Sequence, residues 1–337
     1  MEEHAVSIGE HFAQRGISRR QFLKFCGLMT ATLALPSAYL GRVAQALTAA
    51  PRPRIIWLEF QDCTGDSESF LRAARYAGDP DSLDIDTLLL DTLSVDYHET
   101  LMAPSGIMSE KSLNDTMTQY KGQYICIVEG SIPMANNGVY CTIRGRSALS
   151  IVNQVAGSAR ATIAVGSCAF YGGLAAAGPN TTGAVGVGVD KTTPPDWSRG
   201  AVPGLTNLVN VPGCPMNVVN LTATIVHLLT FNALPAVDRF KRPYFAYGNE
   251  IHEECERHDH FEEGRFVLAW GDQGHKNGWC LRKMGCRGPE TRHNCPTIRW
   301  NAGTNWPIGA GHGCIGCSEP NFWDKNSPIY VALPGDD

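Results

Sequence analysis

Between His252 and Cys317 the chain places metal-binding side chains at short, regular spacings: His252-x2-Cys255, Cys280-x5-Cys286, Cys295 and Cys314-x2-Cys317. Thiolates at such spacings select zinc, copper(I) or iron–sulfur clusters. The segments around them are rich in glycine and proline, as in Gly285-Cys286-Arg287-Gly288-Pro289 and Cys314-Ile315-Gly316-Cys317-Ser318-Glu319-Pro320. Glycine lets backbone amides approach and hydrogen-bond sulfur, and a proline soon after the last cysteine is frequent in iron–sulfur loops. Seven ligands divide into a set of four and a set of three. A three-thiolate set with Pro307 nearby suits a 3Fe–4S cluster better than structural zinc, which takes four ligands. Disulfides and a Cys3His zinc site are the competing uses of the same residues.

Three further cysteines are far apart in sequence but each follows a strand-like run. Arg54–Phe60 leads to Cys63, Thr162–Val165 leads to Cys168, and Leu208–Val211 leads to Cys214. Two more runs, Leu83–Leu90 and Tyr124–Glu129, complete five predicted strands. Short apolar strands alternating with helical segments predict an α/β fold with a buried parallel sheet. In such a sheet all strand C-termini open on one edge, where ligands bind. Cys63, Cys168 and Cys214 should therefore meet in space as a third metal site; three unrelated buried cysteines are the alternative. Asp66 or Ser67 is placed to cap a helix running through Phe70–Ala74. Cys126 lies inside a strand and reads as a small core residue, and Cys141 has no evident partner. Residues 175–200 form a loop excursion without a phosphate-binding motif.

The 337 residues are 43% hydrophobic and 18% charged, which fits a folded chain of two domains. A net charge of −5 gives no reason to expect a nucleic-acid partner. At the N-terminus Ser18-Arg19-Arg20-Gln21-Phe22-Leu23-Lys24 is a twin-arginine signature. An apolar stretch from Phe25 to Leu40 and an Ala-x-Ala site at Ala44–Ala46 follow it. Residues 1–46 are expected to be an export signal outside the fold; an N-terminal membrane anchor is the alternative, with Pro36 against it. Removing them leaves eleven of the twelve cysteines, an odd number that disfavours a pure disulfide framework. The last ten residues contain no spanning helix, so any membrane attachment should come through another subunit.

These features together resemble the small, electron-transferring subunit of nickel–iron hydrogenases. The likeness runs through the whole chain: the twin-arginine signal, Trp57-Leu58 leading to Cys63, Leu93–Thr100, Val128-Glu129-Gly130-Ser131-Ile132-Pro133, Gly166-Ser167-Cys168, Val211-Pro212-Gly213-Cys214-Pro215 and the C-terminal cysteines. The resemblance implies a flavodoxin-like domain (52–235) with a proximal 4Fe–4S cluster on Cys63, Asp66, Cys168 and Cys214. It implies a loop-rich C-terminal domain (236–337) with a distal 4Fe–4S cluster on His252, Cys255, Cys280 and Cys286. A medial 3Fe–4S cluster would sit on Cys295, Cys314 and Cys317, with Pro307 near its open corner. It also implies an obligate large subunit carrying the nickel–iron centre where H2 is split, with a dimer of heterodimers as a further level of assembly. Electrons would pass outward to a cytochrome or iron–sulfur acceptor, in the periplasm or at the membrane.

One departure stands out. The family pattern has Cys-x2-Cys in the first loop, and here it reads Cys63-x2-Asp66. Asp66 is expected to bind iron through oxygen; the alternatives are a helix-capping role with water or hydroxide at the iron, or a 3Fe–4S cluster. Two positions that carry extra cysteines in oxygen-tolerant members are Gly65 and Gly173 here, so that six-cysteine cluster is not expected. His258 and His260 rival His252 by proximity. Glu68 is either an interface or proton-path acid or a helix-start acid.

Overall fold

The structure, a computed structural model, describes residues 7–14, 16–72, 93–192, 194–301 and 303–332. Five short strands make its main sheet: β1 (Arg54–Glu59), β2 (Ser94–His98), β3 (Ile125–Glu129), β4 (Ala161–Val165) and β5 (Leu208–Val211). They lie in the order β2-β1-β3-β4-β5, every pair parallel. This is the flavodoxin-like order, with its switch of winding direction between β1 and β3.

Alternate side chains feed two cores. Ile55, Trp57, Ile125, Ile127, Ile163 and Val209 face one side. Ile56, Leu58, Cys126, Val128, Ala164 and Leu208 face the other. With both faces covered, most strand positions are apolar, which made four of the five legible. The exception is β2, whose Ser94 and Asp96 are turned toward Arg54, with Arg54 Nη1 3.2 Å from Asp96 Oδ1. The strand predicted at Leu83–Leu90 lies outside the described residues.

Helices α1 (Ile8–Gln14), α2 (Arg19–Thr32) and α3 (Leu40–Ala49) precede the sheet. The segment expected to be an export signal packs on the sheet domain in this structure. Ile8, Phe25, Cys26, Met29, Val43 and Leu47 are buried in one core with Trp57, Val219 and Val226. The reason is the hydrophobic effect: the apolar face of the segment covers α8 (Val218–Phe231), itself apolar and buried for most of its length. The arginine pair stays exposed in the first turn of α2. That turn is set by a capping box in which Ser18 Oγ accepts from Gln21 N–H (3.3 Å) and Gln21 Oε1 accepts from Ser18 N–H (3.1 Å). Among the described residues no helix is long and apolar enough to cross a membrane.

The sheet's C-terminal edge carries α4 (Gly65–Leu71) after β1 and α7 (Gly166–Tyr171) after β4; α5 (Ile107–Gln119) and α6 (Ala148–Ala156) complete the layers. Beyond Tyr244 the described chain is turns and helices of at most five residues. Its small core joins Ile251, Val267, Leu281, Trp306 and Ile308 to Cys286, Cys295 and Cys314. Arg242, 1% exposed, ties this region to the sheet domain. Its Nε is 2.9 Å from Asp238 Oδ2, and its Nη1 is 2.8 Å from Glu319 Oε1 and 2.9 Å from the Ser318 carbonyl.

Candidate metal centres

The loops after β1, β4 and β5 bring Cys63, Asp66, Cys168 and Cys214 into one electrostatic neighbourhood. Burial raises the Cys168 thiol to about 12, with Cys214, Asp66 and Cys63 adding to it; burial raises the Cys214 thiol to about 11. Gly173, at φ +53°, lies so near that a Cβ there would sit 2.5 Å from Cys168 Sγ. The Asp66 carboxyl points inward. Its Oδ1 accepts from the Met216 N–H at 2.5 Å, and its Oδ2 fills the space where Gly166 lacks a side chain. Burial, then the charge of Glu129, pushes Asp66 well above the usual carboxylate range. A bound cation reverses that balance by favouring the anion.

Asp66 and Ser67 do not cap the helix as the sequence suggested. α4 begins at Gly65 after Thr64 in the left-handed region, with no side-chain cap from Thr64. The cap comes instead from β3. Glu129, fully buried, accepts the backbone N–H of Asp66 (2.9 Å) and of Ser67 (3.0 Å) and the Trp57 Nε1–H (3.0 Å). Around it His98 Nε2 lies 3.1 Å from Ser67 Oγ, and His98 Nδ1 lies 3.2 Å from Glu59 Oε2. Asp62 is raised to about 6 by burial. Glu68 is exposed and pairs with Arg72 four residues on, as a helix-surface acid does.

In the C-terminal region one pocket is lined by His252, Cys255, Cys280 and Cys286, together with Arg257, Arg282 and Pro289. Neither His258 nor His260 lines it; the His258 ring sits 4.7 Å from that of His252. Burial, aided by His258 and Arg282, lowers the His252 pKa, which favours the neutral form able to bind metal. A second cavity of about 370 Å³ is lined by Cys295, Cys314 and Cys317, with Pro307, His293 and Trp300, and also by Cys214 from the sheet edge.

The sulfurs are surrounded by N–H donors. Arg257 N–H lies 3.4 Å from Cys255 Sγ, Gly316 N–H 3.4 Å from Cys314 Sγ, and Trp300 Nε1–H 3.3 Å from Cys295 Sγ. Two features join neighbouring sets: the Cys314 N–H lies 3.3 Å from Cys286 Sγ, and Cys214 lines the same cavity as Cys317. All twelve cysteines are unpaired, so the disulfide alternative is not realised. Among the described residues no three His, Cys, Asp or Glu side chains converge tightly enough for a single metal ion. Ligands spread around a cavity fit a multi-atom cluster better than one zinc.

Comparison with known proteins decides the family. The family model for the C-terminal domain of NiFe/NiFeSe hydrogenase small subunits matches residues 247–330. That for the 20 Kd subunit of NADH ubiquinone oxidoreductase matches residues 63–228. The periplasmic [NiFe] hydrogenase small subunit 1 of Nitratidesulfovibrio vulgaris is 44% identical over 322 residues, covering 95% of each chain. The chain belongs to the nickel–iron hydrogenase small subunits. The uptake hydrogenase small subunit of Azotobacter vinelandii is 43% identical over 93% of this chain and 82% of that one. In the solved [NiFeSe]-hydrogenase of Desulfomicrobium baculatum a chain 34% identical superposes with a TM-score of 0.72, covering 84% of this chain and all of that one.

Hydrogenase small subunits of this family carry iron–sulfur clusters and pair with a large subunit. Sequence reasoning missed Glu129 as the cap of α4, although an acid ending an otherwise apolar strand was a visible signal. It also missed His293, which is fully buried and lowered to about 3 by burial and Arg242. Nothing in its local sequence marked it out.

Proposed function

We propose that this chain is the electron-transfer subunit of an exported nickel–iron hydrogenase, linking H2 oxidation on its large subunit to an external cytochrome or iron–sulfur acceptor. Bound iron–sulfur clusters supply one-electron carriers whose potentials are set by ligands, hydrogen bonds and burial. Cys63, Asp66, Cys168 and Cys214 hold the proximal 4Fe–4S cluster. Cys295, Cys314 and Cys317 hold the medial 3Fe–4S cluster, and His252, Cys255, Cys280 and Cys286 hold the distal 4Fe–4S cluster. The observation that supports this reading is the adjacency of neighbouring sets: Cys214 lines the cavity of Cys295, Cys314 and Cys317, and the Cys314 N–H lies 3.3 Å from Cys286 Sγ.

The large subunit is proposed to cover the sheet edge. Leu71, Met134, Val139, Tyr140 and Leu174 are exposed on the segments that follow β1, β3 and β4, and they form the apolar surface such a partner needs. The exposed arginine pair of α2 is proposed as the address for twin-arginine export. It is presented while the apolar half of the leader stays covered.

Asp66 is the fourth proximal ligand in this reading, through the oxygen left free when Oδ1 accepts from Met216. EPR spectra and redox titrations of the purified heterodimer test it. Asp66→Ala should change the spectrum and midpoint of the proximal cluster alone. An unchanged spectrum and midpoint would remove Asp66 from the ligand set.

A further inference from the structure

His293 is only 2% exposed and lies between two aromatic rings. Tyr247 meets it edge-on with centroids 5.0 Å apart, and Trp300 stacks at 6.1 Å with 26° between planes. The imidazole lines the cavity of the three-thiolate set. Its Nδ1 is 3.0 Å from Cys295 Sγ, and the Trp300 Nε1 is 3.3 Å from the same sulfur. Its Nε2 has no hydrogen-bond partner.

The direction of the short contact follows from chemistry. A thiolate bound to iron has no proton to give, so two acceptors would face each other if the imidazole proton were on Nε2. The 3.0 Å approach is attractive only with the proton on Nδ1. Two ring N–H groups then converge on one ligand sulfur. An N–H donor on a cluster sulfur stabilises the extra negative charge of the reduced state and raises the potential. The tautomer also leaves Nε2 as a buried acceptor without a donor, which costs stability. The pocket retains an imidazole there despite that cost.

We propose that His293 is a positioning residue for electron transfer, donating Nδ1–H to Cys295 Sγ and, with Trp300, holding the medial cluster at a raised reduction potential. The inference rests on the reading of Cys295 as a medial-cluster ligand.

The test is an EPR-monitored redox titration of the purified heterodimer, unsubstituted and as His293→Leu, Trp300→Phe and the double variant. The 3Fe–4S midpoint should fall in each single variant and furthest in the double one, with iron content and the proximal and distal midpoints unmoved. An intact 3Fe–4S signal with an unchanged midpoint in His293→Leu overturns the proposal. Should that variant fail to fold, the unsubstituted heterodimer labelled with 15N-histidine supplies the answer. In an oxidised sample the 3Fe–4S cluster should show a weak 15N coupling and an exchangeable proton. No 15N coupling overturns the proposal, and a strong coupling of a directly bound nitrogen overturns it by making His293 an iron ligand. Cys295→Ser separates the two layers. If it leaves the 3Fe–4S signal unaltered, the ligand assignment fails and the inference with it. If it alters that signal while His293→Leu leaves the midpoint in place, the inference alone fails.

Discussion

At the sheet edge, Cys63, Cys168 and Cys214 take their positions from β1, β4 and β5, strands locked in a parallel sheet with both faces buried. In the C-terminal region Cys255, Cys286, Cys314 and Cys317 sit in irregular backbone and Cys280 in an isolated bridge to Phe266, and the described helices there span at most five residues. The first arrangement is a scaffold that exists before its ligands are used. The second has a small core in which three of the cysteines are themselves core residues. Where ligands supply much of the core, metal binding and folding are one process.

Iron removal is the strongest way to break that contrast. Chelation under reducing conditions should leave β1–β5 protected from hydrogen exchange, while residues 248–332 lose most of their amide protection. Equal loss in both regions would show that the scaffold depends on iron as much as the loops do. The next largest effect should come from Arg242, which joins the two regions through Asp238 and Glu319. Arg242→Met leaves two carboxylates without their cation, a cost of about 3–5 kcal/mol in chemical denaturation. A cost below about 1 kcal/mol would mean the two regions are held together by something else.

Glu129 sharpens the contrast from the sheet side. Glu129→Ala strands the N–H groups of Asp66, Ser67 and Trp57 and should cost about 3 kcal/mol. Its spectroscopic effect should be confined to the proximal cluster. A shifted medial or distal signal would contradict the local role. Cys126→Ala should do least. It removes a buried sulfur from a strand interior, at about 1 kcal/mol, and leaves all three cluster signals unchanged.

The same contrast decided what was legible in the sequence. Continuous apolar runs identified β1, β3, β4 and β5, because a strand buried on both faces has no polar side to blur the pattern. Ser94–His98 was not recognised as a strand, because its inner-edge polar residues pair with Arg54 and break the run. The cysteine spacings indicated metal sites in the loops without any secondary structure. They did not reveal that Cys214 shares a cavity with Cys317, or that Cys314 reaches Cys286. Those contacts come from the packing of one loop on another, which leaves no periodic trace. The N-terminal segment was assigned from its arginine pair and apolar stretch. The same apolarity that suits an export signal also buries it against α8.

Quantifying iron and acid-labile sulfide on the purified heterodimer, alongside EPR of its oxidised and reduced forms, tests the central claim most directly. Two 4Fe–4S clusters and one 3Fe–4S cluster on this chain, with the one iron of the partner's nickel–iron centre, predict about twelve irons and about twelve sulfides per heterodimer, with a 3Fe–4S signal in the oxidised sample. Four or fewer irons, zinc in their place, or thiols recovered as disulfides would contradict it.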